Sequence, residues 1–220
     1  QRAQDLIAAG STDFSTATQT AAGLRPSIET SLHVLMPFPV VVHLHPVEVL
    51  AWAVRADART QLAGLLKGLP WAWTEYTKPG KELAVAVQEA IRSRSTAPSV
   101  LILGNHGLVI GAEDASGARQ LISDVVARLR QTPRPSPTFD HDRMSRWQSR
   151  FPDLAYQPVA LLRTHALALD PVALELVRDN WVLMPDHAVF LGARALVLNP
   201  QEDAVKLLRA WDEPPACLIV

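Results

Sequence analysis

Cysteine is almost absent from this chain. The lone Cys217 rules out an internal disulfide, so packing has to hold the fold together. Long apolar runs are also missing. The longest stretches, such as Leu161–Leu169, are broken by Arg163 and His165 and fall far short of the roughly 20 residues that cross a bilayer. No signal-peptide pattern is visible. Neither sign of charge dominates: 21 Lys and Arg against 22 Asp and Glu give a formal net charge of −1. No global basic field therefore exists to hold nucleic acid or an anionic membrane, and an anionic substrate needs local groups. No Gly-x-Gly-x-x-Gly fingerprint occurs, so no dinucleotide site is assigned. Repeats of fixed period and low-complexity tracts are missing as well. A single cysteine suits a reducing compartment, and the expected location is cytoplasmic. The chain starts at Gln1, and Arg2–Ala9 reads like the end of an amphipathic helix, so a preceding segment is expected.

What is present is an alternation of strands and helices. Gly10–Arg25, rich in Ser, Thr, Ala and Gly, reads as a loop. Pro26-Ser27-Ile28-Glu29 opens a helix with Ser27 as the expected cap and Ile28, Leu32 and Leu35 as its apolar stripe. Val40–Leu44 reads as a buried strand, and Pro46 stops it and starts a helix. Helices are expected over 59–67, 81–94 and from Asp114 to about Arg130, and strands over 71–76, 100–103 and 108–111. The alternation predicts an α/β layer fold. Thr132–Thr138, with three prolines, is the linker candidate. The domain reading is residues 1–131, a linker at 132–139, and a small C-terminal α/β unit at 140–220. In that unit helices are expected over 142–150, 159–168, 171–177 and 202–210, and strands over 187–191, 195–198 and 217–220.

Three of the seven histidines sit where metal chemistry wants them. His43 and His45 end an apolar strand, where residues two apart face the same way. His106 lies in the turn Gly104-Asn105-His106-Gly107, directly after a second apolar strand. Strand ends of this kind are where open α/β sheets collect their sites. Two such ends bring three imidazoles to one place, and glycine on both sides lets the turn bend sharply. Glu29, at a helix start, supplies a carboxylate that can ligate or move protons. Each signal is weak alone. A His-x-His pair is also read as two edge histidines satisfied by carbonyls, and Glu29 as a solvated first-turn carboxylate. Their combination, in this order, is what points to a metal.

The remaining histidines read as structural. His33 is expected to pack on the sheet, His187 to serve a turn, His141 to open a helix, and His165 to be satisfied within an apolar helix. The six tryptophans are scattered and read as core or interface residues.

At these residues the chain resembles the class II aldolase/adducin family. The matching segments are Arg25-Pro26-Ser27-Ile28-Glu29-Thr30-Ser31-Leu32-His33, Val40-Val41-Val42-His43-Leu44-His45 and Leu103-Gly104-Asn105-His106-Gly107-Leu108-Val109, together with the Tyr76…Pro79-Gly80 turn. The resemblance runs from about Gly23 to Leu129. It implies a three-layer α/β/α sandwich, with a small C-terminal α/β appendage here. It implies that His43, His45 and His106 are metal ligands and that Glu29 is the catalytic residue, ligating the resting metal or acting as acid/base. The implied cofactor is a divalent ion, zinc first, with manganese or cobalt as the other candidates. The implied reaction is metal-dependent aldol cleavage of a ketose or sugar phosphate through an enediolate. A sugar-phosphate epimerase on the same site and a non-catalytic adducin-like interaction module are the alternatives. The implied partners are a small carbohydrate and further copies of the chain in a homo-oligomer, a tetramer in many members, with no nucleic acid and no membrane. Two departures stand out. The family's Gly-Asn-x-Ser and Ser-Gly phosphate loops do not appear before Glu29, and no C-terminal catalytic tyrosine is identified. The second half, notably Tyr156 and Pro185-Asp186-His187-Ala188-Val189-Phe190-Leu191-Gly192, is similar to the tail of a longer bacterial subgroup in which a short-chain dehydrogenase can follow.

Overall fold

The computed structural model describes residues 2–9, 11, 14–17, 26–133, 135, 138–199 and 201–220. The chain separates into two compact units, Gln1–Gln131 and Thr132–Val220. The expected loop at 10–25 lies largely outside the described residues, as do three positions of the expected linker.

The first unit contains α1 (Arg2–Ala8), α2 (Thr30–Leu35), β1 (Val40–Leu44), α3 (Val47–Ala53), α4 (Ala58–Leu65), β2 (Trp71–Thr74), α5 (Lys81–Arg92), β3 (Val100–Leu103), β4 (Gly107–Ala112) and α6 (Ala115–Leu129). The four strands form one sheet in the order β1-β4-β3-β2. β4 is antiparallel to both β1 and β3, whereas β2 and β3 run parallel. β1 and β3 therefore point the same way, and β4 begins at the edge where both of them end.

The two faces of the sheet bury different side chains because successive residues alternate. Val100 and Ile102 of β3 join Leu108 and Ile110 of β4 against Val49, Leu62, Val125 and Leu129 of α3, α4 and α6. Leu101, Leu103 and Val109 face the other way, onto Leu32 and Met36 near α2 and Leu83 and Val87 of α5. Helices thus cover both faces, giving three α/β/α layers. Each fully buried leucine or isoleucine contributes about 2 kcal/mol, so this double core carries most of the unit's stability. Trp52 locks α3 to α6 by donating its indole N–H to the Leu129 carbonyl at 2.8 Å.

Three local expectations are corrected here. α2 begins at Thr30 rather than at Pro26, and Ser27 does not cap it: its carbonyl accepts the Thr30 N–H at 3.0 Å in a turn, and Glu29 takes the cap position. β1 is only half-buried along its length, because it is an edge strand with one neighbour. His33 does not pack on the sheet. It is exposed, and its Nδ1–H donates to the Val41 carbonyl at 3.2 Å on that open edge.

The second unit holds α7 (His141–Arg150), a 3₁₀ turn over Leu162–His165 that runs into α8 (Ala166–Leu169), α9 (Pro171–Asp179), α10 (Pro185–Leu191), β5 (Leu196–Val197), α11 (Ala204–Leu208) and β6 (Leu218–Ile219). β5 and β6 pair in parallel. One expected strand, 187–191, is instead the helix α10. Its Ala-Val-Phe-Leu run suits a strand, but Pro185 at the first helical turn and Gly192 at φ 77° just past the end bracket a helix. The helix expected over 159–168 starts later, at Leu162.

Candidate metal centre

β1 fixes His43 first. Its alternation sends Val40 and Val42 toward the α3/α6 layer and Val41 toward the α2 layer, so His43 and His45 share the side from which Glu29 reaches in. The antiparallel register places His43 opposite Val109 and Leu44 opposite Leu108. His43 Nδ1 lies 2.9 Å from the Leu108 carbonyl. A carbonyl can only accept, so Nδ1 carries the proton, and in the neutral ring the lone pair sits on Nε2, the atom directed into the site.

His106 arrives by a different route. The β3–β4 hairpin turns through Gly104-Asn105-His106, with Asn105 in the left-handed region at φ 51°, a conformation asparagine tolerates better than most residues. The Gly104 N–H donates to the Thr74 carbonyl at 2.8 Å, and the Asn105 N–H donates to the Ala53 carbonyl at 3.0 Å. That second bond ties the turn to the end of α3, the helix that starts two residues after His45. The two histidine-bearing segments are therefore joined twice, through the β1–β4 ladder and through Ala53. His106 itself is buried.

The result is a tight triangle of imidazoles. Ring centroids are 4.8 Å apart for His43 and His45, 5.1 Å for His43 and His106, and 5.2 Å for His45 and His106. One ligating atom from each lies within 4.8 Å of the others, an arrangement that could hold a metal ion. His45 Nε2 and His43 Nε2 approach to 3.1 Å. Gly107 makes the space: a Cβ there would lie 2.5 Å from His45 Cδ2 and 2.7 Å from the Leu44 carbonyl oxygen. The strand between β1 and β3 therefore begins with the one residue that lets the His45 ring lie across it.

Glu29 closes the triangle. Its two carboxylate oxygens lie 2.8 Å from His106 Nε2 and 3.5 Å from His43 Nε2. The hydrogen bond with His106, followed by that with His43, holds its carboxyl well below the usual carboxylate range, against partial burial that pushes the other way. Glu29 is thus an anion beside the three rings.

All four singled-out residues come together in space. The other histidines do not join them. His141 opens α7 behind the Asp140 cap, His165 Nε2 bonds the Val159 carbonyl at 2.8 Å, and His187 Nδ1 lies 3.2 Å from the Trp181 carbonyl. Two supporting groups escaped the sequence reading, the Leu108 carbonyl and the Ala53 carbonyl. Backbone acceptors carry no side-chain signature, and only the strand register reveals the first. Three buried polar atoms, His106 Nδ1, Thr74 Oγ1 and Trp73 Nε1, have no hydrogen-bond partner among the described residues.

The profile of the Class II Aldolase and Adducin N-terminal domain matches residues 2–132. A protein called uncharacterized oxidoreductase YuxG, from Bacillus subtilis (strain 168), is 30% identical over 135 residues, which are 61% of this chain and 18% of that protein. The chain therefore spans less than a fifth of that relative's length. Among solved structures, the N-terminal class II aldolase domain of a conserved protein from Thermoplasma acidophilum superposes with a TM-score of 0.48 at 23% identity, over 57% of this chain and 62% of the other. An aldolase II superfamily protein from Pseudomonas syringae gives 0.38 at 18% identity, over 74% of this chain and 68% of the other.

Proposed function

The chain belongs to the class II aldolase and adducin family, and from that premise we propose that it is a metal-dependent aldehyde-lyase acting on a small carbohydrate. The observation that carries this reading is the convergence of His43, His45 and His106 around Glu29. The donor set fits a divalent ion of the zinc, manganese or cobalt type: three imidazoles, one with its tautomer fixed by a backbone carbonyl, and a carboxylate within reach. When bound, such an ion supplies Lewis-acid polarisation to the vicinal carbonyl and hydroxyl oxygens of a sugar.

The chain's own residues do the rest. The three histidines would hold the ion and are themselves positioned by β1, the hairpin turn and Gly107. Glu29 handles protons. While it bonds His106 and His43 its proton affinity is low. A substrate that displaces it from those rings removes the interactions that depress it, and the carboxylate becomes an ordinary base. In aldol cleavage the carbon–carbon bond breaks, its electron pair moves to the carbonyl fragment, and the hydroxyl of the departing aldehyde gives up its proton. Glu29 is the group placed to exchange a proton with the reacting carbon or oxygen. Epimerisation would use the same atoms. A non-catalytic scaffold, the reading from outside enzymology, gives no reason for three rings and a carboxylate to converge.

The test combines elemental analysis of the purified chain with an aldol-cleavage screen on free and phosphorylated ketoses. Bound divalent metal and cleavage that Glu29→Gln lowers by about 10²–10⁴-fold are expected. A chain that carries no metal after supplementation with zinc, manganese or cobalt, and cleaves nothing, overturns the proposal.

A further inference from the structure

A cavity of about 300 Å³ in the first unit is not used by this chemistry. It lies among α1, the start of α2 and the start of α5, and its size is at the small end for ligand sites. Ile7, Phe14, Ile28 and Val85 give it a largely apolar wall. No carboxylate is among the residues that line it, and Lys81 is the one charged side chain there among the described residues.

Two polar features of this lining lack partners. Ser31 is only 5% exposed, yet its hydroxyl makes no hydrogen bond among the described residues. That hydroxyl is not sealed in, and the cavity that Ser31 lines is where a partner can reach it. Buried polar groups are nearly always bonded, so one that is not calls for an explanation. The second feature is the head of α5. Gly80, at φ 116°, precedes this 12-residue helix and has no side chain to cap it. The first bond of the helix runs from the Ala84 N–H to the Gly80 carbonyl at 3.0 Å. The N–H groups of Lys81, Glu82 and Leu83 are left without an acceptor among the described residues. Such a helix end attracts anions. The Lys81 ammonium adds to it and enters no ion pair among the described residues.

The sign and the amount of charge narrow the ligand. The helix end supplies roughly half a positive charge, and Glu82 in the same first turn offsets part of it. With Lys81 the site therefore balances one negative charge rather than two. The apolar wall would leave the hydroxyls of a sugar unpaired, which is costly, whereas a hydrocarbon chain suits it. We propose that this cavity binds a small carboxylic acid with an apolar body, its carboxylate held by the head of α5, Lys81 and the Ser31 hydroxyl. The proposal does not depend on the metal reading: Ile28 precedes Glu29 in the chain, but none of the histidine ligands lines the cavity.

Calorimetric titration of the full chain with hexanoate, 1-hexanol, acetate and inorganic phosphate, each separately, tests it. Hexanoate should bind saturably. Acetate, which lacks the apolar body, and 1-hexanol, which lacks the charge, should each bind about tenfold more weakly or worse. Ser31→Ala and Lys81→Met should each weaken hexanoate by about tenfold, since each removes a contact to a charged group, with circular dichroism unchanged. Lys81→Arg should restore most of the affinity. A His43→Ala/His45→Ala variant should bind hexanoate as the parent does. Absence of saturable hexanoate binding, or affinity unchanged in Ser31→Ala or in Lys81→Met, overturns the proposal. Loss of binding in the double histidine variant overturns it too, because the carboxylate then sits on the metal centre. Phosphate binding more tightly than hexanoate overturns the choice of a carboxylate, and 1-hexanol binding as tightly overturns the anionic head.

Discussion

Gly107 is a residue on which the metal centre turns without contributing a ligand. Any side chain there meets the His45 ring and the Leu44 carbonyl inside contact distance. Gly107→Ala should therefore cost about 1–3 kcal/mol through overpacking and weaken metal uptake, because relief comes by moving His45. Thermal melting and metal titration, with and without the substitution, check both effects. His45→Ala should leave the fold intact and abolish retention of the ion, since two imidazoles alone give an incomplete site; a variant that holds metal as well as the parent would sink the assignment. Cys217 offers a test of titration. Burial pushes its thiol above the ordinary value of 9.0. A thiol whose folded pKa is raised contributes stability that is fully present below the unfolded pKa and lost as pH rises through the folded value. Alkylation by iodoacetamide should accordingly be slower in the native chain than in the chain unfolded in urea at every pH below the native thiol's pKa, with the native rate profile displaced to higher pH.

Among the elements, α6 has the clearest start. The Asp114 carboxylate accepts the Gly117 N–H at 2.7 Å, a side-chain cap on a 15-residue helix whose Val125 and Leu129 enter the core. Asp114→Ala should cost about 1 kcal/mol, read as a lowered denaturant midpoint at unchanged slope. The turn into β4 shows how backbone pairing serves chemistry. The bond from the Asn105 N–H to Ala53 sets where His106 stands, and Ala53 closes a helix whose own start is set by Pro46. Elements with one apolar period and a clear end signal were legible from the sequence: β1 before Pro46, α6 after Asp114, the hairpin turn with its glycines. Elements whose pattern fits two periods were not. α10 shows this in its Val189 and Phe190, where the bracketing Pro185 and Gly192 decided against a strand.

For the whole molecule, the two compact units divide near Gln131, close to where the family match ends. The family match falls on the first unit, which also holds the candidate metal site. A chain cut to residues 1–131 is expected to fold by itself and keep its metal stoichiometry, measured by elemental analysis beside the full chain, because both faces of its sheet are covered by its own helices.

By itself the sequence determined which residue types were available and in what order. The His-x-His at a strand end, the Asn-His-Gly turn and the carboxylate before a helix are local facts, and local facts are what periodicity and turn chemistry report. Only the tertiary structure decided that β4 runs between the two histidine-bearing strand ends rather than those ends lying side by side, that the Leu108 carbonyl sets the His43 tautomer, and that Glu29 lies 2.8 Å from His106. Those contacts join residues more than sixty positions apart, the first two through backbone groups that every residue carries, so no local side-chain pattern could have announced them.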